Sequence, residues 1–141
     1  MREEGFGLYA KYYDAIYLKM KNYEKEAAIV KRIIRQFENL QSKTLLDVGC
    51  GTGEHLKYLS SDFQCIRIHI NSEMLKIASR KVPDARFRIA DMISFSLEEK
   101  FDVIVCLFSS IGYVSGFNNL AKTLENFRVH LNDRGLLIVE P

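Results

Sequence analysis

The stretch LLDVGCGTGEHL, residues 45–56, decides how the rest of the chain is read. The short apolar run from Thr44 to Val48 has the length and composition of a buried strand. It ends in a turn carrying Gly49, Gly51 and Gly53, after which Leu56 and Leu59 mark one side of a helix. Glycines in such a turn permit backbone angles closed to other residues and let a ligand approach the main chain. Amides at the helix start favour anionic groups. The spacing is G-x-G-x-G, whereas dinucleotide folds prefer G-x-G-x-x-G. Asp47, two residues ahead of the first glycine, suits a ligand with a cationic amino group better than a pyrophosphate.

The same alternation continues outward. CIRIHI (Cys65–Ile70) is a second strand, and Asn71 caps a helix with Met74, Leu75 and Ala78 on one face. Pro83 and Asp84 break that helix. RFRIA (Arg86–Ala90) alternates as a half-buried strand, and FDVIVCLF (Phe101–Phe108) is apolar enough for the middle of a sheet. Leu120, Leu124, Phe127 and Leu131 mark another helix, NDRG turns the chain, and LLIVE (Leu136–Glu140) is a fifth strand. Upstream, Tyr9, Tyr12, Tyr13 and Tyr17 crowd the first segment. Apolar residues from Ala27 to Leu40 then recur at helical spacing. Strands alternating with helices predict an α/β fold, a doubly wound parallel sheet with helices on both faces. The expected strand order is third, second, first, fourth, fifth. Ligands in such sheets bind at the carboxyl ends of the strands, where the order reverses. DVGCGTG and LFSSIGY should therefore face each other across a crevice.

With 141 residues and 48% hydrophobic content, the chain supports one domain with one core. Residues 1–40 are expected to form a helical cap on a Rossmann-like core of residues 41–141. A net charge of +2 is too mild to predict binding to nucleic acid or to a membrane surface. Cys50, Cys65 and Cys106 are odd in number and lack C-x-x-C spacing, which fits reduced thiols in a cytoplasmic protein. The first residues are too polar for a signal peptide, and no apolar run approaches the ~20 residues of a membrane span. His55 and His130 read as helix-surface residues, and scattered histidines predict no metal site. Ser109 and Ser110 lack the paired histidine of a hydrolase triad.

LLDVGCGTGEHL, NSEMLKIA, ADM and FSSIGY occur in this order, each after a predicted strand. In this combination the chain resembles the class I S-adenosylmethionine-dependent methyltransferases. It is most similar to the small-molecule N-methyltransferases that dimethylate amino sugars on nucleotide carriers; YYDAIY, KNYEKEA and CLFSSIGYV carry that closer likeness. The resemblance implies S-adenosylmethionine as cofactor and a small-molecule acceptor methylated at nitrogen. It also implies residue roles. Asp47, Gly49, Cys50, Gly51, Thr52 and Gly53 would surround the methionine part, and His69 occupies the ribose position. Ile70 and Met74 would pack near the adenine, with Asp91 accepting from its amino group beside the Met92 backbone. Leu107 and Phe108 would line the fourth-strand side. Tyr13 would close over the sulfonium end, and Tyr113 would face the acceptor.

Two features depart from that family. Its members place glycine and an acid where this chain has Arg67 and His69. A neutral histidine offers one acceptor where a carboxylate offers several, a deficit of ~1.5–3 kcal/mol if nothing compensates. Basic groups there also leave open a site for a phosphorylated dinucleotide. Secondly, the family sheet continues past the fifth strand with a helix and an antiparallel strand pair, whereas this chain ends at LLIVEP. A C-terminally truncated member is thus expected, its fifth strand an apolar edge open to pairing with a second copy. The alternative is a domain that keeps the fold and binds a nucleotide-type ligand or a partner chain without turnover.

Overall fold

The computed structural model describes residues 4–37 and 43–141. Leu40, read as the last apolar position of the second helix, lies outside them. Two helices, α1 (Glu4–Tyr17) and α2 (Tyr23–Phe37), precede an alternating core. That core comprises β1 (Thr44–Val48), α3 (Glu54–Leu59), β2 (Gln64–His69), α4 (Ser72–Lys81), β3 (Arg86–Ile89), β4 (Phe101–Cys106), α5 (Phe117–Val129) and β5 (Leu131–Val139). The strands form one parallel sheet in the order β3-β2-β1-β4-β5, as the alternation predicts. The order reverses at β1, which pairs β2 on one side and β4 on the other.

Successive strand residues point to opposite faces, and here both faces are apolar because both are covered. Leu45, Cys65, Val103 and Val105 pack on one face with Ala27, Val30 and Ile34 of α2 and Leu56 and Leu59 of α3. Leu46, Ile66, Ile68 and Ile104 pack on the other with Phe95, Phe101 and Phe127. Asn71 caps α4 as expected, its side-chain oxygen accepting the Met74 amide at 3.0 Å. Among the described residues, no helix is long and apolar enough to cross a membrane.

Three local expectations are corrected. Leu124 is exposed and Leu131 already belongs to β5, so of the expected positions Phe127 anchors α5, joined by Thr123. The NDRG turn lies inside β5 as an irregularity: Phe101 pairs Leu131, and Val103 pairs Leu136. Asp102 holds this excursion, accepting from Asn132 at 2.9 Å while also taking the Lys43 and Thr44 amides. His55 and His130 are buried rather than on the surface. His55 Nε2 meets Glu26 at 2.7 Å. His130 Nε2 accepts the Leu97 amide at 3.0 Å while its Nδ1 lies 2.8 Å from the Asn126 carbonyl.

Arg134, exposed in that excursion, has φ +64, a left-handed conformation costly for a residue with a Cβ. Arg134→Gly is therefore expected to stabilise the fold by about 1 kcal/mol, the relief exceeding glycine's entropic cost. Thermal denaturation of the two proteins checks it.

Candidate functional site

The reversal point is built from backbone. The turn after β1 holds Gly49, Gly51 and Gly53 at positive φ. A Cβ added at Gly49 would lie 2.9 Å from the Ser110 Cβ, so the segment after β4 passes directly over this turn. Ser110 fastens the two, its hydroxyl donating to the Gly49 carbonyl at 3.2 Å. Phe108 and Ser109 make the crossing at φ +55, which is strained for both residues. The Glu140 carboxylate accepts the Phe108 amide at 2.6 Å, and the Pro141 carbonyl accepts the Ser109 hydroxyl at 2.9 Å. Such conformations cost on the order of 1–3 kcal/mol each and concentrate at functional sites.

This framework bounds a cavity of about 310 Å³ at the carboxyl ends of the strands. His69, Ile70, Met74, Asp91 and Met92 form one wall, and Gly49, Gly51, Phe108 and Tyr113 the other. Tyr9, Tyr13 and Tyr17 of α1 roof it. A smaller hollow of about 20 Å³ shares Tyr13, Gly49, Gly51 and Phe108 with it and is completed by Asp47, Cys50, Thr52 and Leu107. The structure thus gathers the expected residues with one exception. Gly53 lines neither hollow; a Cβ there would meet the Ala78 Cβ at 3.0 Å, so this glycine lets α3 start against α4.

The roof is tied down at several points. Thr52 in the glycine turn donates to Asp14 of α1 at 2.5 Å. Lys81 of α4 bridges Asp14 and the buried Glu54 of α3, each at 2.5 Å. The Tyr13 and Tyr17 rings lie 4.7 Å apart, and Tyr17 meets Phe108 edge-on at 5.0 Å. In the sequence, Tyr9 and Tyr17 stand only as part of a tyrosine-rich segment without a site role, and this ion pair is not visible. The recurrence of tyrosine at intervals of four was the available signal, since it places all three rings on one helix face.

Electrostatics distinguish the two hollows. Burial pushes the Asp47 carboxyl up to about 7, opposed by the nearby Arg67 guanidinium. His69 Nδ1 accepts the Asn71 amide at 2.9 Å, so the neutral ring carries its hydrogen on Nε2. Burial pushes His69 down to about 4, so the ring is neutral near pH 7. Its acceptor nitrogen is thus used within the chain, and the ring has a donor where an acid would have acceptors. Asp91 is oriented by the Ile93 amide at 2.9 Å. Burial raises the Tyr13 phenol far above its usual range, and the Tyr17 hydrogen bond, followed by burial, raises Tyr9 to about 12. These phenols are neutral at physiological pH.

Fold and site together define a methyltransferase domain. A family model described as a methyltransferase domain matches residues 45–135, and the chain belongs to that family. It is 39% identical over 137 residues to the dTDP-3-amino-3,6-dideoxy-alpha-D-glucopyranose N,N-dimethyltransferase of Streptomyces fradiae, covering 96% of this chain and 53% of that one. It is 35% identical over 135 residues to the dTDP-3-amino-3,4,6-trideoxy-alpha-D-glucopyranose N,N-dimethyltransferase of Streptomyces venezuelae, covering 94% and 56%. Among solved structures, an S-adenosylmethionine-bound amino pentose methyltransferase from Micromonospora echinaspora superimposes with a TM-score of 0.87 at 32% identity, covering 92% of this chain and 55% of that chain. The chain spans about half the length of the curated relatives it matches.

Proposed function

We propose that this chain binds S-adenosylmethionine across the two hollows and serves methyl transfer to the amino group of a nucleotide-linked amino sugar. The observation that carries this is the cavity of about 310 Å³ at the strand-order reversal, walled by bare glycine backbone on one side and by Asp91 and Met74 on the other. The residues fit the cofactor. A Cβ on Gly51 would find nothing nearer than the Tyr13 hydroxyl at 3.9 Å, leaving room for a ligand against the main chain. Asp47, 3% exposed, offers a carboxylate to an ammonium group.

The bound cofactor supplies an activated methyl on a cationic sulfur. The protein's part is placement. Asp47 and the turn from Gly49 to Thr52 hold the amino-acid end, while Leu107 and Cys50 close the hollow behind it. Ile70 and Met74 pack the adenine, beside Met92, and Asp91 accepts from its amino group. His69 donates to the ribose. The rings of Tyr13, Tyr17 and Phe108 exclude water and present electron-rich faces to positive charge. Tyr113, half exposed at the mouth, orients the acceptor. Aligning an acceptor lone pair with the methyl–sulfur bond contributes on the order of 7–11 kcal/mol of barrier lowering. With Tyr9 and Tyr13 neutral, neither supplies a phenolate base, and the acceptor enters as the free amine.

The printed activities of the dTDP-amino-sugar relatives support this acceptor class. A cytoplasmic setting, supported by three unpaired cysteines, and self-association along the β5 edge belong to the same proposal. The test is calorimetric titration with S-adenosylmethionine, followed by mass spectrometry of a dTDP-amino-sugar incubated with protein and cofactor. Binding with addition of one or two methyl groups is expected. Absence of heat and of thermal shift at millimolar cofactor contradicts the proposal.

A further inference from the structure

Arg67 has no counterpart in the chemistry described so far. It lies in the middle of β2, directly opposite Asp47 of β1 on one side and Phe87 of β3 on the other. Strand alternation puts Asp47 and Arg67 on the sheet face that carries Leu45 and Cys65 beneath α3. The Arg67 side chain is fully buried, and none of its three nitrogens has a nitrogen or oxygen hydrogen-bond partner among the described residues. Its guanidinium stacks at 5.0 Å on the Phe87 ring.

A guanidinium does not give up its proton, so this charge is permanent. A buried permanent charge needs a compensating one. Asp47, at the facing position of β1 on the same sheet face, is the buried carboxylate left to compensate it, through space and not by a direct ion pair. Glu54, the other buried carboxylate near the hollow, is already paired with Lys81 and Lys57. Lys21, the other cation beside this hollow, lies over the Phe108 ring at 3.5 Å and is paired with Glu26 at 3.1 Å. Cys50, Cys65 and Cys106 are thiols that burial raises and keeps neutral. Across the hollow, Tyr13 and Tyr23 are raised by burial, and His55 is lowered by it despite Glu26.

We propose that Arg67 is a positioning residue for the cofactor's amino group, holding the Asp47 carboxylate in the ionised form that an ammonium can bind. This rests on the assignment of Asp47 to the amino-acid end. Burial alone would keep the Asp47 proton on, and an ammonium would then have to displace it on binding. Arg67, on the neighbouring strand, opposes burial, so that Asp47 ionises within the neutral range and the ammonium meets a carboxylate there. At high pH the arrangement loses its benefit, because Asp47 ionises without help and Arg67 only repels the incoming ammonium.

A neighbouring opposite charge lowers a carboxyl pKa by about 1–3 units, and Arg67 acts on Asp47 in that direction. Removing it therefore weakens binding by about tenfold or more wherever Asp47 would otherwise be protonated. The experiment is calorimetric titration of the full chain with S-adenosylhomocysteine from about pH 5.5 to about pH 8.5, for wild type, Arg67→Met, Arg67→Gln and Arg67→Lys. Wild-type affinity should fall below about pH 7, as Asp47 takes up its proton. The Met and Gln variants should be about tenfold weaker than wild type near pH 6.5 and within about threefold of it near pH 8.5. The Lys variant, which keeps a cation, should follow wild type. A deficit of constant size at every pH would mean that Arg67 only packs, and would overturn the proposal. A flat wild-type profile would overturn it without any variant, should the neutral substitutions fail to fold. No binding by wild type at any pH would overturn the cofactor assignment itself.

Discussion

Gly49→Val is expected to weaken S-adenosylmethionine binding by about a hundredfold, the order of loss that misplacing the turn by about 1 Å brings when the site depends on backbone contact. Gly49 has φ +74, a region that disfavours any L side chain by ~1–2 kcal/mol. Its new Cβ would also lie 2.9 Å from the Ser110 Cβ and 3.0 Å from the Ser110 Oγ. The 2.9 Å contact forces a shift and the 3.0 Å one asks Ser110 to give further, so the crossing segment must lift or the turn must sink into the cavity. Both routes break the Ser110–Gly49 hydrogen bond and spoil the facing of β1 against β4. A stability loss of about 2–4 kcal/mol should accompany the affinity loss. Gly51→Ala separates the two effects. Its Cβ meets only the Tyr13 phenol, at 3.9 and 4.0 Å, so it fills ligand space without a clash and costs only the ~1–2 kcal/mol strain of a side chain at φ +55. Calorimetry and denaturation on both variants check this. Equal affinity for Gly49→Val and wild type would remove the turn from the site.

The second large effect has the opposite sign. His69→Asp is expected to tighten S-adenosylmethionine binding by about ten- to a hundredfold. The wild-type ring spends its acceptor nitrogen on the Asn71 amide. An aspartate can keep that bond, since carboxylates readily accept from the amide two residues on. Its second oxygen would then accept from a ribose hydroxyl as a charge-assisted bond, roughly twice as strong as a neutral one. A gain of ~1.5–3 kcal/mol follows, which is one to two decades in affinity. Because burial pushes His69 down to about 4, its ionisation falls below the neutral range and gives wild-type affinity no slope near pH 7. A slope there belongs to Asp47 instead, so the two groups are separable by pH. An affinity unchanged or lowered in His69→Asp would show that the ribose is gripped elsewhere.

The strand order was legible because it follows from local signals. Apolar runs such as FDVIVCLF and capped helices such as that begun by Asn71 state their own structure, and alternation with right-handed crossovers does the rest. The glycine turn and its partner FSSIGY were legible for the same reason, as both follow strands that end at the reversal. What stayed hidden depends on distant partners. Gly53 looks like Gly49 and Gly51 in sequence, but only the arrival of Ala78 decides that it serves helix packing. His55 and His130 look like surface residues until Glu26 and the Leu97 amide are brought to them. The NDRG turn became an excursion within β5 because Asp102, on a neighbouring strand, binds Asn132. Arg67 announced itself as a departure from the family pattern, but a lone arginine in a strand does not reveal that it is fully buried, over Phe87 and at the register position facing Asp47.

The central claim is that one cofactor spans the two hollows in a fixed direction. A crystal structure of the chain with S-adenosylhomocysteine tests it most directly. The account predicts the adenine between Met74 and Asp91, the sulfur beneath Tyr13, and the ammonium at Asp47. A ligand seated elsewhere, or lying with its adenine against the glycine turn, would contradict it.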